Sequence, residues 1–248
     1  MDTSRPGGHC SGGRCCSGGH GIVRPRVRAG GIAGDPVSDI PNPDLGTDAG
    51  AEADADIGAR KAAVRKQALA RRAALPLPER IEASLMLAEA AGLLGLPGGA
   101  TVAGFWPIRD EIDPRPLLFR LGELGHPLCL PVVVGPRLVF RRLTRETQLV
   151  RAGFGTVVPD DRAPELTPDV LLMPLSAYDD RGWRLGYGRG YYDTAIADLM
   201  AVGHPVRRIG LAFSVQQVDH VPTEPHDQPL EAILTEQGLT WFNKREGA

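Results

Sequence analysis

A glycine-rich stretch between an apolar run and a helix-forming segment most strongly limits the folds open to this chain. The apolar run spans residues 170–174, and residues 194–200 have helical spacing. Between them lies WRLGYGRGYYD, residues 183–193, with glycine at three alternate positions. Glycine lets the backbone take positive φ values and approach a ligand closely, and a following helix directs unpaired N–H groups at the loop. The order strand, glycine loop, helix therefore predicts an anion site at a helix N-terminus.

Arginine side chains favour phosphate as the anion of this loop. Arg184 and Arg189 would add positive charge and bidentate hydrogen bonding to the backbone donors. The spacing matches neither G-x-x-x-x-G-K-[ST] nor G-x-G-x-x-G, because Tyr191 stands where the second pattern has its last glycine. On the loop residues alone, a turn that only reverses the chain is the alternative.

Composition excludes several broad functions. Of the 248 residues 42% are apolar, which is enough for a core, and the net charge of -2 argues against a general nucleic-acid binder. We expect no transmembrane helix, because no apolar run approaches about 18 residues. The N-terminus also lacks the apolar segment of a secretory signal. We therefore expect a cytoplasmic protein, a monomer or small homo-oligomer, with no nucleic-acid or membrane partner.

The composition changes at about residue 57. Residues 1–57 are rich in Gly, Pro, Ser and Asp, and their few large apolar side chains have no period, so we predict a disordered extension. Within it, Cys10, Cys15 and Cys16 lie near two histidines, but their spacing matches no common zinc pattern. Residues 58–248 are predicted to form a single α/β catalytic domain.

Helices alternate with short apolar strands in the predicted domain. We predict helices at 59–73, 79–94, 114–123 and 194–200, and strands at 101–106, 127–134, 138–143, 170–174, 207–213 and 231–235. The strands on either side of a Gly-Pro pair should form a hairpin, and the polar stretch from Thr144 should be a surface loop. This alternation is typical of an α/β, Rossmann-like three-layer sandwich around a largely parallel open sheet. The apolar face of the second helix would comprise Ile81, Leu85, Ala88 and Leu93.

Charged residues outside the glycine loop are further candidates for a site. On the first helix, Lys61 and Arg65 lie four residues apart on one face, and Arg72 lies two turns further along it. A solvated surface is the alternative for this face. Glu111 follows a strand end, where ligands bind in open α/β sheets. Asp113 is instead predicted to be the N-cap of the next helix.

A proline-rich loop at residues 221–229 displays one histidine and two carboxylates. Mg²⁺ bound to a nucleotide takes only one or two protein carboxylates, which Asp193 and Asp227 could supply. A solvated turn is the alternative for this loop, and Asp193 could instead cap the helix after the glycine loop.

Four motifs in order resemble the 5-formyltetrahydrofolate cyclo-ligase family, also called 5,10-methenyltetrahydrofolate synthetases. They are a basic K-x-x-x-R pair in the first helix, an acidic E-[IV] loop after a strand, the loop R-L-G-x-G-x-G-Y-Y-D, and a late H-D loop. The resemblance covers roughly residues 59–236. It implies a ligase of folate and one-carbon metabolism that uses ATP and Mg²⁺ on a reduced folate.

The resemblance also implies roles for residues at matching positions. ATP would be bound by Lys61, Arg65, Arg184, Leu185, Gly186, Tyr187, Gly188, Arg189, Gly190, Tyr191 and Tyr192. The catalytic residues would be Arg184, Arg189 and Tyr192. The folate would contact Phe105, Trp106 and Glu111, and Mg²⁺ would bind Asp193 and Asp227. The chain departs from the family at Pro131-Val132-Val133, where a relative carries an aromatic residue after the proline.

The implied reaction closes 5-formyltetrahydrofolate to 5,10-methenyltetrahydrofolate and releases ADP and phosphate. An amide is a poor electrophile, so the formyl oxygen would first attack the γ-phosphate, and N10 would then attack the activated carbon. Such chemistry needs positioning and charge neutralisation more than a protein nucleophile. Two alternatives stay open: a small-molecule kinase that uses the same loop, and a non-catalytic nucleotide-binding module.

Overall fold

Short strands form a central sheet with helices on both faces. The computed structural model describes residues 48–242, with side chains from Asp56 onward apart from that of Phe154. The helices are α1 (Asp48–Ala73), α2 (Leu77–Glu89), α3 (Arg115–Glu123) and α4 (Tyr191–Ala201). The strands are β1 (Val102–Ala103), β2 (Leu128–Val134), β3 (Arg137–Leu143), β4 (Leu149–Arg151), β5 (Val157–Pro159), β6 (Val170–Pro174), β7 (Ala177–Tyr178), β8 (Arg184–Leu185), β9 (Arg207–Leu211), β10 (Ala232–Thr235) and β11 (Gly238–Trp241). Short 3-10 helices span Ala90–Leu94, Gly153–Gly155 and Ser214–Gln216.

Most neighbouring strands of the main sheet run parallel. The strand order in this seven-stranded sheet is β11-β10-β9-β6-β1-β2-β3. The pairs from β10 to β2 are parallel, whereas β10–β11 and β2–β3 are antiparallel at the two edges. In the β2–β3 pair, Leu128 lies opposite Leu143 and Val134 opposite Arg137. The predictions of a largely parallel sheet and of a hairpin at this edge are therefore confirmed.

Alternate residues of the strands enter two separate cores. In β6, Val170 and Leu172 belong to the core that contains α2 and α3, while Leu171 and Met173 belong to the core that contains α4. All four side chains are at most 1% exposed. A strand covered on both faces reads as a continuous apolar run, as this one does. The predicted three-layer α/β sandwich is confirmed.

Helix α1 begins earlier than predicted. Its first residue is Asp48 rather than Ala59, so residues 48–57, which were predicted to be disordered, are helical. Alanine alternates with acidic residues here. Alanine has the highest helix propensity, and carboxylates interact favourably with the dipole at a helix N-terminus. The remaining disorder prediction, for residues 1–47, and the candidate zinc ligands Cys10, Cys15 and Cys16 lie outside the described residues.

The described residues belong to one compact unit. The assignment of residues 58–248 to a single catalytic domain stays a prediction. Helix α1 is 26 residues long but strongly charged. Between residues 48 and 242, no helix has both the length and the apolar composition needed to cross a membrane.

Helix α2 turns a different face to the core from the predicted one. Ile81 and Leu85 are 52% and 56% exposed, Leu93 is 67% exposed, and Ala88 is half-buried. The α-helix also ends at Glu89 and continues as a 3-10 helix. Apolar side chains surround most of this helix, so their periodicity did not identify the buried side. The buried residues of α2 are Ala83, Ser84 and Leu87.

Several predicted strand boundaries were wrong. Strand β1 has two residues instead of six. A Cβ on Gly104 would lie 2.5 Å from Cδ1 of Leu118, so α3 packs directly on this backbone, and the chain then leaves the sheet. The predicted surface loop after Thr144 contains the antiparallel pair β4–β5. Strands β7, β8 and β11 were missed because such short segments show no clear period.

Replacing Leu87 by alanine should destabilise the fold, whereas the same change at Leu85 should not. Leu87 is fully buried, so its truncation leaves a cavity and should lower the free energy of unfolding by about 2–5 kcal/mol. Leu85 is exposed, and its truncation should change that energy by less than about 0.5 kcal/mol. Chemical denaturation measures both, and equal losses would contradict the observed orientation of α2.

Candidate active site

Two loops meet at the point of the sheet where the strand order reverses. Strand β1 lies between β2 and β6, so the chain adds strands outward on both sides of it. The loops after the carboxyl ends of two such strands diverge, and the crevice between them is the usual ligand position in open α/β sheets. Glu111 follows β1, and the chain after β6 passes through the β7–β8 hairpin into the glycine loop. The fold therefore brings the two predicted substrate regions together.

The glycine loop requires glycine at two positions. Gly188 has a φ of 89° and Gly190 a φ of 65°, a left-handed conformation that is strained for other residues. Gly190 is the N-cap residue of α4, and its carbonyl accepts a hydrogen bond from the Thr194 N–H at 3.0 Å. A Cβ built on Gly186 or Gly190 would meet no atom within 4 Å. The loop thus has free space beside the first N–H groups of α4, as an anion site needs.

Helix α4 and strand β8 take up parts of the predicted loop. Arg184 and Leu185 lie in β8, and Tyr191 begins α4, three residues earlier than predicted. Leu185 is buried in a small apolar cluster with Ala68 of α1, so it supports the loop from inside.

The basic face of α1 contacts the glycine loop and is not a solvated surface. Nε of Arg65 donates a hydrogen bond to the Gly186 carbonyl at 2.9 Å. Two turns along, Nη1 of Arg72 donates to the Tyr187 hydroxyl at 2.8 Å, and Arg72 is only 4% exposed. The predicted shared face of these arginines is confirmed.

Glu111 lies at the centre of a buried hydrogen-bond network. The Tyr187 hydroxyl donates to Oε1 of Glu111, and the Ile108 N–H donates to Oε2 at 2.8 Å. Arg72 also donates to both carboxylate oxygens of Asp110, at 3.0 and 3.2 Å. Burial raises the pKa of Glu111 above its usual range, and the donors Tyr187 and Ile108 and the charge of Arg72 oppose this rise only in part.

Lys61 bridges two carboxylates of the late loop. Its Nζ lies 2.6 Å from Oε2 of Glu224 and 2.6 Å from Oδ2 of Asp227. Burial alone would lower the pKa of the Lys61 ammonium, but the hydrogen bonds and charges of Asp227 and Glu224 outweigh it and raise the pKa. Lys61 is therefore a fixed positive charge beside two carboxylates, and the loop is not a solvated turn.

The same loop contains a possible metal site. Ligand atoms of Glu224, His226 and Asp227 lie within 4.8 Å of one another. Carboxylate oxygens suit Mg²⁺, so Asp227 fits its predicted role and Glu224 is an additional candidate. Asp193 does not belong to this group of three.

Asp193 is paired with Arg184. Nη2 of Arg184 donates to Oδ1 of Asp193 at 2.8 Å, and the Gln228 N–H donates to the same oxygen at 3.1 Å. Nη1 of Arg184 donates to the Gln228 carbonyl, and Arg184 is 8% exposed. Asp193 makes no cap hydrogen bond to α4, so the capping alternative for it was wrong.

The N-cap prediction for Asp113 was also wrong. Pro114 is the N-cap residue of α3, and Oδ1 of Asp113 instead accepts from the Arg115 N–H at 2.9 Å. The backbone of Pro114 already has helical angles, with φ -79° and ψ -10°, and Arg115 is the first residue of α3.

The predicted folate residues differ in their accessibility. Phe105 is 3% exposed and lies in the core of α2 and α3, so it supports the site from beneath rather than offering a free ring face. Trp106 is half-buried, and the Arg115 guanidinium lies 5.1 Å from its ring centroid. Val132 and Val133, at the departure from the family pattern, pair with Val139 and Leu138 of β3.

Tyrosine and arginine side chains of the loop have distinct surroundings. The buried Tyr192 hydroxyl has no hydrogen-bond partner within the described part of the chain, and burial strongly raises its pKa. It therefore carries its proton at neutral pH and can donate to a ligand. Arg189 is exposed, and Tyr191 is half-buried.

Two residues that support the loop were not predicted. Oγ of Ser176 donates to the carbonyls of Leu185 and Gly186, at 2.6 and 3.1 Å. Asp179 is fully buried and accepts hydrogen bonds from the N–H groups of Trp183 and Val221, at 3.0 Å each. Both follow the carboxyl end of β6, and this position of polar residues after an apolar run was the signal that could have identified them.

Cavity size does not identify this site. A cleft of about 580 Å³ lies at the amino ends of β6 and β9, where its lining includes Asp169, Arg207 and Glu231. None of the predicted site residues lines it. The candidate site is therefore defined by its loop and its charged side chains.

These features define a class of protein: an α/β fold with a glycine loop before a helix N-terminus at the switch point of its sheet. The family model of the 5-formyltetrahydrofolate cyclo-ligase family matches residues 57–236. The chain therefore belongs to the 5-formyltetrahydrofolate cyclo-ligase family, a family of ligases in folate metabolism, and the assignment from its motifs is confirmed.

Individual relatives agree with the family assignment. The 5-formyltetrahydrofolate cyclo-ligase of Escherichia coli (strain K12) is 32% identical over 142 residues, which cover 54% of this chain and 77% of the relative. That of Mycoplasma pneumoniae is 26% identical over 182 residues, covering 71% of this chain and 99% of the relative.

Solved structures share the fold. The 5,10-methenyltetrahydrofolate synthetase of Aquifex aeolicus superposes with a TM-score of 0.62 at 27% identity, over 76% of this chain and 94% of its own. The synthetase of Mycoplasma pneumoniae gives a TM-score of 0.56 at 23% identity, over 71% of this chain and 98% of its own.

Replacing Asp179 by alanine should destabilise the protein more than replacing its neighbour Asp180. The first change leaves buried N–H groups without an acceptor, so the free energy of unfolding should fall by about 2–4 kcal/mol. Asp180 is exposed, and its loss should cost less than about 0.5 kcal/mol. Urea denaturation of both variants tests this, and a stable Asp179→Ala variant would show that Asp179 does not support the loop.

Proposed function

We propose that the protein closes 5-formyltetrahydrofolate to 5,10-methenyltetrahydrofolate in an ATP-dependent reaction. Family membership and the names of the relatives support this activity. The observation that carries the proposal is the hydrogen bond from Tyr187 to Glu111. It joins the predicted nucleotide loop to the predicted folate carboxylate through a single side chain, so both substrates would bind within reach of each other.

The chemistry proceeds through a phosphorylated formyl group. The formyl oxygen attacks the γ-phosphate, and ADP leaves. N10 then attacks the activated carbon and loses its proton, and phosphate departs with the original formyl oxygen. The protein must align these atoms and neutralise phosphate charge. Cys129 is no competing nucleophile, because burial raises its thiol pKa to about 12.

Cations on three elements would surround the phosphates. Arg189 of the loop and the first N–H groups of α4 would bind them directly. Lys61, Arg65 and Arg184 would contribute charge from α1 and β8. Lys61 and Arg184 now pair with carboxylates, and a bound phosphate would take over these cations. Tyr192, whose buried hydroxyl carries a proton, would donate a hydrogen bond to the reacting groups.

Mg²⁺ would be held by Asp227 and Asp193, with Glu224 as a further ligand. Carboxylates released by Lys61 and Arg184 are the oxygen ligands that Mg²⁺ prefers. When bound, the ion supplies neutralisation of charge on the phosphates. A cytoplasmic location and a monomeric or small homo-oligomeric state stay predictions.

On the folate side, Glu111 and Trp106 are the contacts best supported by the structure. The Glu111 carboxylate is fixed in place by two donors and would accept hydrogen bonds from the polar edge of the pteridine. Trp106 keeps part of its ring exposed for stacking. Phe105 belongs to the core against which Trp106 packs, so it would support that ring from beneath.

Turnover of defined substrates tests the proposed function. Purified protein is incubated with 5-formyltetrahydrofolate, ATP and Mg²⁺, and 5,10-methenyltetrahydrofolate is followed by its absorbance. Product that requires both ATP and Mg²⁺ supports the proposal. ATP consumption with another acceptor instead would favour the small-molecule kinase, and tight ATP binding without turnover would favour the non-catalytic module.

Replacing Arg189 by alanine should raise the KM for ATP about tenfold or more. A charge-assisted hydrogen bond to phosphate contributes about 1.5–3 kcal/mol, and each 1.4 kcal/mol corresponds to a factor of ten. Steady-state kinetics at varied ATP concentration measures the change. The matched control is Arg151→Ala, which removes another exposed arginine, on β4. Unchanged kinetics in the Arg189 variant would remove this residue from the phosphate site.

A further inference from the structure

Tyr187 lies between Gly186 and Gly188, at the first variable position of the motif R-L-G-x-G-x-G-Y-Y-D. Its backbone belongs to the glycine loop, and Arg65 holds the preceding carbonyl, of Gly186. Its side chain leaves the loop and donates to the carboxylate of Glu111, which follows a different strand. Tyr187 as a whole residue is 44% exposed, whereas its hydroxyl contacts Arg72 and Glu111.

Arg72 fixes the direction of the Tyr187 hydroxyl. Its Nη1 donates to the tyrosine oxygen at 2.8 Å, so the hydroxyl proton is left to point at Glu111. Asp110 holds the other side of the Arg72 guanidinium through two hydrogen bonds. The orientation of Glu111 therefore depends on where the glycine loop places Tyr187.

We propose that Tyr187 is a positioning residue that couples the two substrate sites of the proposed cyclo-ligase. Its hydroxyl orients Glu111, so that a nucleotide that orders the glycine loop increases the affinity of the folate site. This inference rests on the proposed function and specifies how its two sites communicate. By linkage, folate increases the affinity for nucleotide by the same factor.

The environment of Glu111 provides an independent signature of this role. The groups that face it are Tyr187 from the glycine loop, Arg72 from α1, Asp110 from its own loop and Tyr192 from α4. The Tyr187 hydrogen bond favours the ionised carboxylate and so lowers the pKa of Glu111. Removing this donor raises that pKa further. Because folate binding uses the ionised form, the acidic limb of kcat/KM for folate should move to higher pH.

Tyr187→Phe, which keeps the ring and removes only the hydroxyl, tests the coupling. Calorimetry measures 5-formyltetrahydrofolate binding with and without a non-hydrolysable ATP analogue. In the unmodified protein the analogue should lower the folate Kd about tenfold, the scale of one hydrogen bond to a charged group. In the variant this ratio should approach one, so the folate KM at saturating ATP and the ATP KM at saturating folate should both rise about tenfold.

Two further variants separate this role from a general structural effect. Tyr178→Phe removes the hydroxyl of a buried tyrosine outside the site and should leave coupling and pH profile unchanged. In a Glu111→Gln background, Tyr187→Phe should cause little additional loss, since the tyrosine acts through that carboxylate.

The outcomes distinguish this inference from the proposed function. An active protein whose Tyr187→Phe variant keeps the wild-type coupling ratio, folate KM and acidic limb would overturn the inference alone. A chain that neither binds nor converts 5-formyltetrahydrofolate would overturn the proposed function and this inference with it. Loss of coupling with an intact melting temperature supports both.

Discussion

The contact of the basic face of α1 with the glycine loop is the interaction on which the site depends. Arg65 holds the Gly186 carbonyl, and Arg72 holds both the Tyr187 hydroxyl and Asp110. The loops after β1 and β6 come from distant parts of the chain, and within residues 48–242 no strand pairing joins one loop to the other. One helix with cations two turns apart therefore sets the geometry of both loops. This arrangement explains why a polar, charged helix packs against the carboxyl edge of an apolar sheet.

Charge compensation is the second feature of the site. Lys61 pairs with Asp227 and Glu224, and Arg184 pairs with Asp193. Such partly buried ion pairs contribute little net stability, because desolvation offsets most of the attraction. In the proposed function these pairs would serve in an exchange, because a phosphate would replace the carboxylates on the cations and Mg²⁺ would bind the carboxylates. The charges would then be balanced both with and without the nucleotide.

Local sequence patterns predicted the features that depend on neighbouring residues. The strand, loop and helix order around residues 183–193, the parallel sheet and the common face of Lys61 and Arg65 all follow from short-range spacing. The buried face of α2 could not be predicted, since apolar side chains surround that helix. The same limit applies to Phe105, whose burial depends on α2 and α3 rather than on its own neighbours.

The remaining site features are long-range contacts. The bond between Tyr187 and Glu111 joins residues 76 positions apart, and Lys61 reaches Asp227 across 166. No local period encodes such pairs, so the motifs predicted which residues matter but not which of them touch. The structure adds these contacts, and with them the reason why Arg72 and Asp110, which have no assigned ligand, belong to the site.

Isotope labelling tests the central claim that this site activates the formyl oxygen by phosphorylation. The substrate is 5-formyltetrahydrofolate with ¹⁸O in its formyl group, converted by the protein with unlabelled ATP in unlabelled water. Mass spectrometry of the released phosphate measures where the oxygen goes. The account predicts one ¹⁸O atom in each phosphate formed. Unlabelled phosphate, with the label lost to water, would contradict it.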